Sequence, residues 1–464
     1  MQSATPSGHS AQTKRSVQLV AGVGSCVAPF LVASMVVAAP AIGEDLGAEV
    51  ALLPWLTGAF FLVAASLLIP MGRIADLRGS KKVFTVGMVV YLASALVCAL
   101  APDMVVLIVA RGVTGAGAAM VFGTSIALLG LVFPEPERGK AIGLNVTSMF
   151  VGFTAGLLAG GLLTYYLTWR YLFLIAAALA AAALYLVRTK VRGECELSRA
   201  RAFDPLGMGL LSASMLLLFF GLSQLVNRAG QYALAAGAAA MAVLFLRQRG
   251  SVRPILGSGV SKNRSFLLAV TTNIIFQAGA FAVPFLLSLH YQLISGLDAR
   301  TAAIVLLLPQ VLMSIASAVG GRLTARTGDR SITISGAVLN AIGLSFLLTL
   351  SQSTPIVLTL ASLALVGIGT GLFMPALMDW AMGAIERQDY GVASAVTETA
   401  RLTGMTLSNV IVVIAFTFLM GTSSVGPGDE DPFLASVRIC SLIYLALSLL
   451  SAVPSLFMKG AQER

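Results

Sequence analysis

Residues 72–82, GRIADLRGSKK, follow a long stretch of the chain that carries no charge. Residues 51–71 contain no Lys, Arg, Asp or Glu, and five charged residues then arrive between Arg73 and Lys82. An uncharged run of this length is long enough to cross a lipid bilayer as a helix, and the charges mark the return to water. The stretch therefore predicts a charged turn between two membrane-spanning helices.

The composition of the whole chain agrees with a membrane protein. Of the 464 residues, 57% are hydrophobic and only 11% are charged, and the mean hydropathy is +0.91. Soluble domains carry about 25% charged residues.

The four cysteines have neither disulfide nor metal-ligand spacing, so we expect no metal and no cofactor. No nucleophile triad or ATP-binding loop is found, and the chain is not expected to be an enzyme.

Uncharged runs recur along the chain at lengths that fit membrane-spanning helices. Transmembrane strands would instead alternate polar and apolar residues over about ten positions. We predict fourteen helices, at 17–41, 51–71, 83–101, 104–132, 141–164, 170–188, 205–225, 230–246, 266–290, 301–320, 332–350, 355–378, 390–420 and 433–458.

The basic residues favour one orientation of these helices in the membrane. With a cytoplasmic N-terminus, the cytoplasmic segments hold 24 of the 30 Lys and Arg residues, the external loops hold four, and two lie within helices. Cytoplasmic loops of membrane proteins are enriched in Lys and Arg. The net charge of +10 therefore indicates topology rather than nucleic-acid binding, and both termini are expected in the cytoplasm.

Three pairs of segments indicate an internal duplication. GRIADLRG at 72–79 resembles GRLTARTG at 321–328, with an offset of 249. RGVTGAG (111–117) pairs with LVGIGTG (365–371) at offset 254, and GKAIG (139–143) with GVASA (391–395) at 252. We therefore predict an all-α membrane protein of two pseudo-symmetric six-helix bundles, with two inserted helices between them.

This architecture divides the chain into five parts. The predicted parts are a cytoplasmic tail (1–16), an N-terminal bundle (17–188), cytoplasmic linkers with the two inserted helices (189–264), a C-terminal bundle (265–458) and a second tail (459–464). Duplicated halves with a binding site between them are a recurring transporter design.

With these motifs in order, the chain resembles a major facilitator superfamily transporter, most of all the fourteen-helix drug–proton antiporter branch. GRIADLRGSKK is similar to the superfamily's loop signature, and RGVTGAG to its fourth-helix signature. Residues 143–161, GLNVTSMFVGFTAGLLAGG, resemble the antiporter signature of helix five. The resemblance implies alternating access and export of small molecules. It also suggests a monomer in the plasma membrane.

Two departures from the branch bear on proton coupling. Leu157 stands where the antiporter signature carries a proline, and Leu31 and Val36 stand where the first helix usually carries an Asp and an Asn. The first helix therefore has no charge to meet a cationic substrate.

Three charged residues within predicted helices are candidates for proton coupling. Arg111 lies about 10 Å into helix four and Glu398 about 12 Å into helix thirteen, at 1.5 Å per residue. Arg401 shares a helix face with Glu398, three residues away. Intramembrane charges usually face a cavity or a bundle interior. The alternatives are an Arg that reaches the interface and a purely structural ion pair.

The remaining candidates are assigned to gates, packing and the substrate cavity. The resemblance implies that the 72–82 turn is a latch between the halves, with Gly72, Arg73, Asp76, Arg78 and Gly79 as its residues. The alternative is a solvated turn that only fixes topology. Ala325 replaces Asp76 in the second copy, so the two gates should be unequal.

For helix five we predict close packing at Gly143, Gly152, Gly156 and Gly160. Polar candidates for a cavity wall, each equally able to bond a neighbouring helix, are Asn145, Asn273, Gln277, Gln310 and Asn340.

The sequence thus predicts a secondary exporter of amphipathic small molecules or drugs, coupled to protons, in the lipid bilayer of the plasma membrane. Two alternatives stay open. One is an uncoupled facilitator or an importer of a neutral metabolite, which Leu31 and Leu157 favour. The other is a transport-inactive scaffold or sensor.

Overall fold

The computed structural model describes residues 11–133, 135–191, 204–225, 227–249, 260, 262–386, 390–420 and 430–456. Within these ranges every regular element is a helix. Fourteen helical spans are long and apolar enough to cross a membrane, which confirms the predicted fold class.

The helices extend past the predicted runs at several ends. Their bounds are α1 Ala11–Asp45, α2 Trp55–Arg78, α3 Ser80–Ala99, α4 Met104–Val132, α5 Glu135–Tyr166, α6 Arg170–Lys190, α7 Pro205–Ser223, α8 Arg228–Arg249, α9 Arg264–Ala280 with its continuation Val283–Leu289, α10 Ala299–Thr327, α11 Asp329–Leu347, α12 Ile356–Gly383, α13 Tyr390–Leu419 and α14 Glu430–Ser455. We call the end of the molecule where α1 begins the near end, and the end where α1 finishes the far end.

Helix α9 is interrupted, which the sequence prediction did not include. Its first segment ends at Ala280, and the second begins at Val283 with Pro284 in its first turn. A proline cannot donate the backbone hydrogen bond that a continuous helix needs at that position. The second segment runs into a π-helical turn, His290–Ile294, before α10 begins.

Side-chain caps define where several helices begin. Asp103 and Asp204 accept from the backbone N–H three residues later at 2.8 and 3.0 Å, and so start α4 and α7. Asn263 caps α9 at 3.0 Å in the same way. Asp298 caps α10, and the bond from the Thr301 N–H holds the pKa of Asp298 below its usual range. These caps satisfy backbone donors that a helix start leaves free.

The GRIADLRGSKK stretch is mostly helical rather than an open turn. Helix α2 continues to Arg78, Gly79 has φ of 92°, and α3 begins at Ser80. The second copy repeats this, since α10 ends at Thr327 and Gly328 has φ of 84°. Positive φ strains any residue with a Cβ. The two glycines therefore make the same sharp reversal in both halves.

Close backbone contacts confirm the duplication and correct one register. A Cβ on Gly115 would meet the Phe60 oxygen at 2.3 Å, and one on Gly367 would meet the Pro309 oxygen at 2.5 Å. Phe60 and Pro309 differ by 249, so Gly115 pairs with Gly367 at an offset of 252. The offset of 254 from the RGVTGAG comparison is wrong by two residues. Arg111 corresponds to Leu363 rather than Leu365.

The two halves meet along equivalent seams. Helix α2 packs against α13, and α5 packs against α10. Because α2 corresponds to α10 and α5 to α13, the duplication exchanges one seam with the other. The inserted helices α7 and α8 pack on each other, and α7 lies against α2 and α13. The Ser212 hydroxyl on α7 donates to the Ser66 carbonyl of α2 at 2.8 Å.

Candidate functional site

An ion pair on α13 is the main charged feature between the helices. The Arg401 Nε donates to Glu398 Oε2 at 2.8 Å, and Nη2 lies 2.5 Å from Oε1. The pair is therefore bidentate, which is the strongest geometry for an arginine and a carboxylate. The side chains of Glu398 and Arg401 keep 25% and 19% of their surface accessible.

The packing of α13 against two neighbouring helices shows which side of α13 carries the pair. Gly404 packs on the α9 backbone, and the Ser408 hydroxyl accepts from the Ala282 N–H of α9 at 3.1 Å. Asn409 accepts a hydrogen bond from Thr57 of α2 at 2.9 Å. Successive helix residues are rotated by about 100°, so Glu398, Arg401 and Met405 fall between these two faces. The pair thus lies on the cleft between α9 of one half and α2 of the other.

Few other titratable groups surround the pair. The segments 56–72, 205–223 and 265–289 of the packed helices α2, α7 and α9 contain no Asp, Glu, Lys or Arg. Helix α14 brings Cys440 and Tyr444, whose hydroxyl donates to the Ser408 carbonyl at 2.8 Å. Within the described helices, the charge of this region therefore resides in the ion pair itself.

Arg111 is buried in the N-terminal half, as its depth in the sequence predicts. Its side chain is fully buried, its Nε donates to the Leu56 carbonyl at 2.8 Å, and the guanidinium lies 5.0 Å from the centre of the Phe60 ring. The two terminal nitrogens have no hydrogen-bond partner among the described residues. Arg111 does not reach the interface, and it lies apart from the α13 pair on the α4 side of α2.

The five polar cavity candidates do not come together. The Asn273 amide donates to the Thr397 carbonyl at 3.1 Å, and its Oδ1 and that of Asn145 are buried without a partner in the described structure. Gln277, also on α9, packs near Gly404. Asn340 instead joins α11 to α12 and α14, through Thr370 at 3.3 Å and Ser448 at 3.3 Å. Gln310 is half-buried on α10.

The four glycines of α5 that were predicted to pack closely divide into two groups. Cβ atoms on Gly152 and Gly156 would meet the Cys26 and Phe30 oxygens of α1 at 2.3 and 2.1 Å, and one on Gly160 would meet the Ser34 oxygen at 2.9 Å. These three allow α1 and α5 to touch backbone to backbone. Gly143 has no atom within 4 Å of its added Cβ, so it takes no part in this contact.

The gating candidates lie at the near end, where α2 meets α3. A Cβ on Gly72 would have open space around it, and Gly79 makes the sharp reversal. Arg78 is exposed and Arg73 is half-buried. The side chain of Asp76 lies outside the described residues, so the latch remains a prediction.

Three hydrogen bonds that join the halves were not foreseen in the sequence. In the described chain they are Thr57 to Asn409, Gln292 Nε2 to the Val37 carbonyl at 3.0 Å, and Arg300 to the Tyr166 hydroxyl at 3.0 Å. All three lie in the far half of the molecule. Thr57, Tyr166 and Arg300 lie near helix ends and Gln292 lies in a π-helical turn, whereas Asn409 lies within α13. Each contact joins two different helices, so the periodicity of one helix does not mark it.

A second far-end cluster also escaped prediction. Asp45 accepts from the Trp169 Nε1 at 3.0 Å and from Arg170 at 2.5 Å, and the Arg170 guanidinium lies 4.3 Å above the Trp169 ring. These contacts tie the end of α1 to the start of α6. Trp169 and Arg170, which follow α5 in the chain, therefore have a structural role.

The chain is similar to transport and multidrug resistance proteins over most of its length. It is 28% identical over 447 residues to the probable actinorhodin transporter of Streptomyces coelicolor, which covers 88% of this chain and 76% of that protein. It is 28% identical over 376 residues to the multidrug resistance protein Stp of Mycobacterium tuberculosis, with 79% and 68% covered.

Solved structures agree on the fold. A bacterial homologue of the human lysosomal transporter Spinster, in an inward-facing and unoccupied conformation, superposes with a TM-score of 0.70 at 14% identity, covering 98% of this chain and all of that one. The sequence model of the Major Facilitator Superfamily matches residues 21–409. The chain is therefore a many-span membrane transporter, not an enzyme, and it belongs to the Major Facilitator Superfamily.

Proposed function

We propose that this protein exports amphipathic small molecules across the bacterial plasma membrane by alternating access, driven by proton antiport. The partly accessible Glu398–Arg401 pair in the cleft between the halves carries the proposal, because it combines a titratable carboxylate with access from the cleft. The relatives named for drug resistance and antibiotic transport support an exporter. We propose that it works as a monomer.

The orientation follows from the basic residues. The near end carries Lys14, Arg15 and the basic residues that follow Gly72, whereas the far end carries acidic residues after α1. We therefore place the near end and both termini in the cytoplasm. The three far-end contacts between the halves then close the molecule toward the outside.

Protonation of Glu398 links the proton gradient to the change of state. A proton on the carboxylate removes its charge, and the bidentate pair with Arg401 is lost. The freed guanidinium then lies uncompensated in the cleft, which disfavours the state with the paired geometry. The latch of the 72–82 stretch would hold the near end closed in the opposite state.

The test is transport by purified protein in liposomes with a pH-sensitive dye inside. Under an imposed proton gradient, substrate addition should move protons in the wild type and not in Glu398→Gln. Asp379→Asn is the matched control, because Asp379 is an exposed carboxylate four residues from the end of its span. Wild-type coupling in Glu398→Gln would remove this residue from the mechanism.

An uncoupled facilitator or importer is the second candidate. Leu31 and Leu157 are both buried in the apolar core, at 0% and 1% exposure, so neither position offers a proton site. In the same assay this candidate gives substrate flux that is equal with and without a pH gradient.

A further inference from the structure

The Arg401 guanidinium has hydrogen-bond donors that the ion pair does not use. An arginine carries five N–H groups, and Glu398 engages the one on Nε and one on Nη2. The other N–H on Nη2 and the two on Nη1 remain for other partners. Nη1 lies 3.6 Å from the Met405 sulfur, which is a weak acceptor.

These remaining donors are accessible from the cleft. Glu398, Arg401 and Met405 lie between the α9-facing and α2-facing sides of α13, and the Arg401 side chain is 19% exposed. The carboxylate holds the guanidinium by two bonds and so fixes the direction of its free edge. A donor edge of this kind matches a carboxylate or a sulfonate, whose two oxygens accept paired hydrogen bonds.

The same region offers little to a cation. In the described spans, Glu398 is the one carboxylate that lies more than five residues inside a span, and it is already paired. The first helix has the apolar side chains of Leu31 and Val36 buried in this core and brings no carboxylate there. Arg111 adds a buried positive charge to the N-terminal half. The interior of the described spans therefore favours negative or strongly accepting groups over positive ones.

We propose that the substrates are amphipathic molecules with an anionic group, which the free edge of Arg401 binds while Glu398 positions it, and that lipophilic cations are poor substrates. This substrate class rests on the proposed function as an exporter. Arg401 acts here as the specificity-determining residue.

Dye binding to the purified protein in lipid nanodiscs tests the charge preference. The probes are two matched pairs: fluorescein with rhodamine 123, and anilinonaphthalene sulfonate with ethidium, one anion and one cation in each. Fluorescence anisotropy gives the affinities. We expect the anions to bind more tightly than the cations. Arg401→Gln should weaken anion binding by about tenfold or more, the scale of a lost charge-assisted hydrogen bond. It should not weaken cation binding, because it leaves the Glu398 carboxylate without its cationic partner.

Two further variants separate recognition from folding. Arg401→Lys keeps the charge without the planar fork, so it should fall between the wild type and Arg401→Gln. Arg264→Gln, at the exposed start of α9, removes one positive charge away from the cleft and should change neither affinity. A purely structural role of Arg401 would lower anion and cation binding together and would overturn the assignment.

The outcomes also distinguish this proposal from the proposed function. If both anions fail to bind, or the cations bind as tightly, the substrate class is wrong, whether or not liposomes export a dye. If the anions bind with the expected dependence on Arg401 but no dye crosses the membrane, the proposed binding site is supported and the proposed export function is wrong.

Discussion

Arg111 is a buried charge with one hydrogen bond and one aromatic contact. The sequence predicts its burial from its depth in helix four, and the structure places it in the core. Its neighbours could not be predicted, because Leu56 and Phe60 come from another helix and depend on how α2 and α4 cross. The same limit applies to the Thr57–Asn409 bond, which joins residues far apart in the chain.

Replacement of Arg111 should show whether its charge contributes to the stability of the fold or to transport. Arg111→Met keeps much of the side-chain volume and removes a buried charge that lacks full pairing, which is often neutral or stabilising. We expect thermal unfolding in detergent close to that of the wild type, with transport reduced about tenfold or more if the charge acts in the cycle. Arg111→Ala leaves a cavity and should lose about 2–5 kcal/mol of stability.

A different pattern would change this interpretation. If Arg111→Met transports normally, the arginine serves packing alone. If it unfolds as readily as Arg111→Ala, the Leu56 hydrogen bond and the Phe60 contact stabilise the fold more than the buried charge costs.

At the scale of single helices, run length predicts the fourteen spans because the bilayer fixes their length. The break in α9 was missed although Pro284 signalled it, since a proline in an apolar run ends or kinks a helix. The π-helical turn after it had no comparable signal, and the extended helix ends reflect polar residues that continue a helix beyond the apolar run.

The contact between α1 and α5 gives a test at this scale. Gly156→Ala would place a Cβ 2.1 Å from the Phe30 oxygen, so the two backbones must separate. We expect a loss of about 1–3 kcal/mol, the usual cost of overpacking. Gly143→Ala is the matched control on the same helix, because its Cβ meets no atom within 4 Å. It should be neutral or gain up to about 1 kcal/mol from helix propensity.

Thermal unfolding of the two variants in one detergent measures the difference. Equal stabilities would mean that α1 and α5 can move apart at little cost, contrary to the close contact described here.

At the scale of the whole molecule, the sequence shows the duplication but not its full register. The loop signature gives the offset of 249 because its residue types are distinctive. In the fourth and twelfth helices several small residues can be aligned in more than one way, and only contacts such as Gly115 with Phe60 select the offset of 252. The cleft position of the α13 pair likewise required the packing of α2 and α9.

Movement of the halves relative to each other can be tested by a cross-link across the α2–α13 seam. A Cβ on Gly58 lies 3.6 Å from the Asn409 Cβ, within the range of disulfides. The double variant Gly58→Cys with Asn409→Cys should form a bridge under oxidation. Transport should stop and return on reduction, because the alternating access proposed above requires the far ends to separate.

Each single cysteine variant under the same oxidant is the control, and it also reports the effect of losing the Thr57–Asn409 bond. Full transport by the cross-linked protein would place the moving contact elsewhere, since α2 and α13 would then stay together throughout the cycle.

The two kinds of glycine bear on how such sequences diverge. Where a Cβ would strike a backbone oxygen, as at Gly156 and Gly367, almost any replacement forces helices apart. At Gly143, Gly209 and Gly321 the added Cβ meets no atom within 4 Å, so another residue fits there without moving a neighbouring helix. The helix-five glycine spacing therefore follows from a contact between two helices rather than from the chemistry of a substrate. A chain needs this spacing to bring α1 and α5 together whatever molecule it carries, so the spacing indicates the fold rather than the activity.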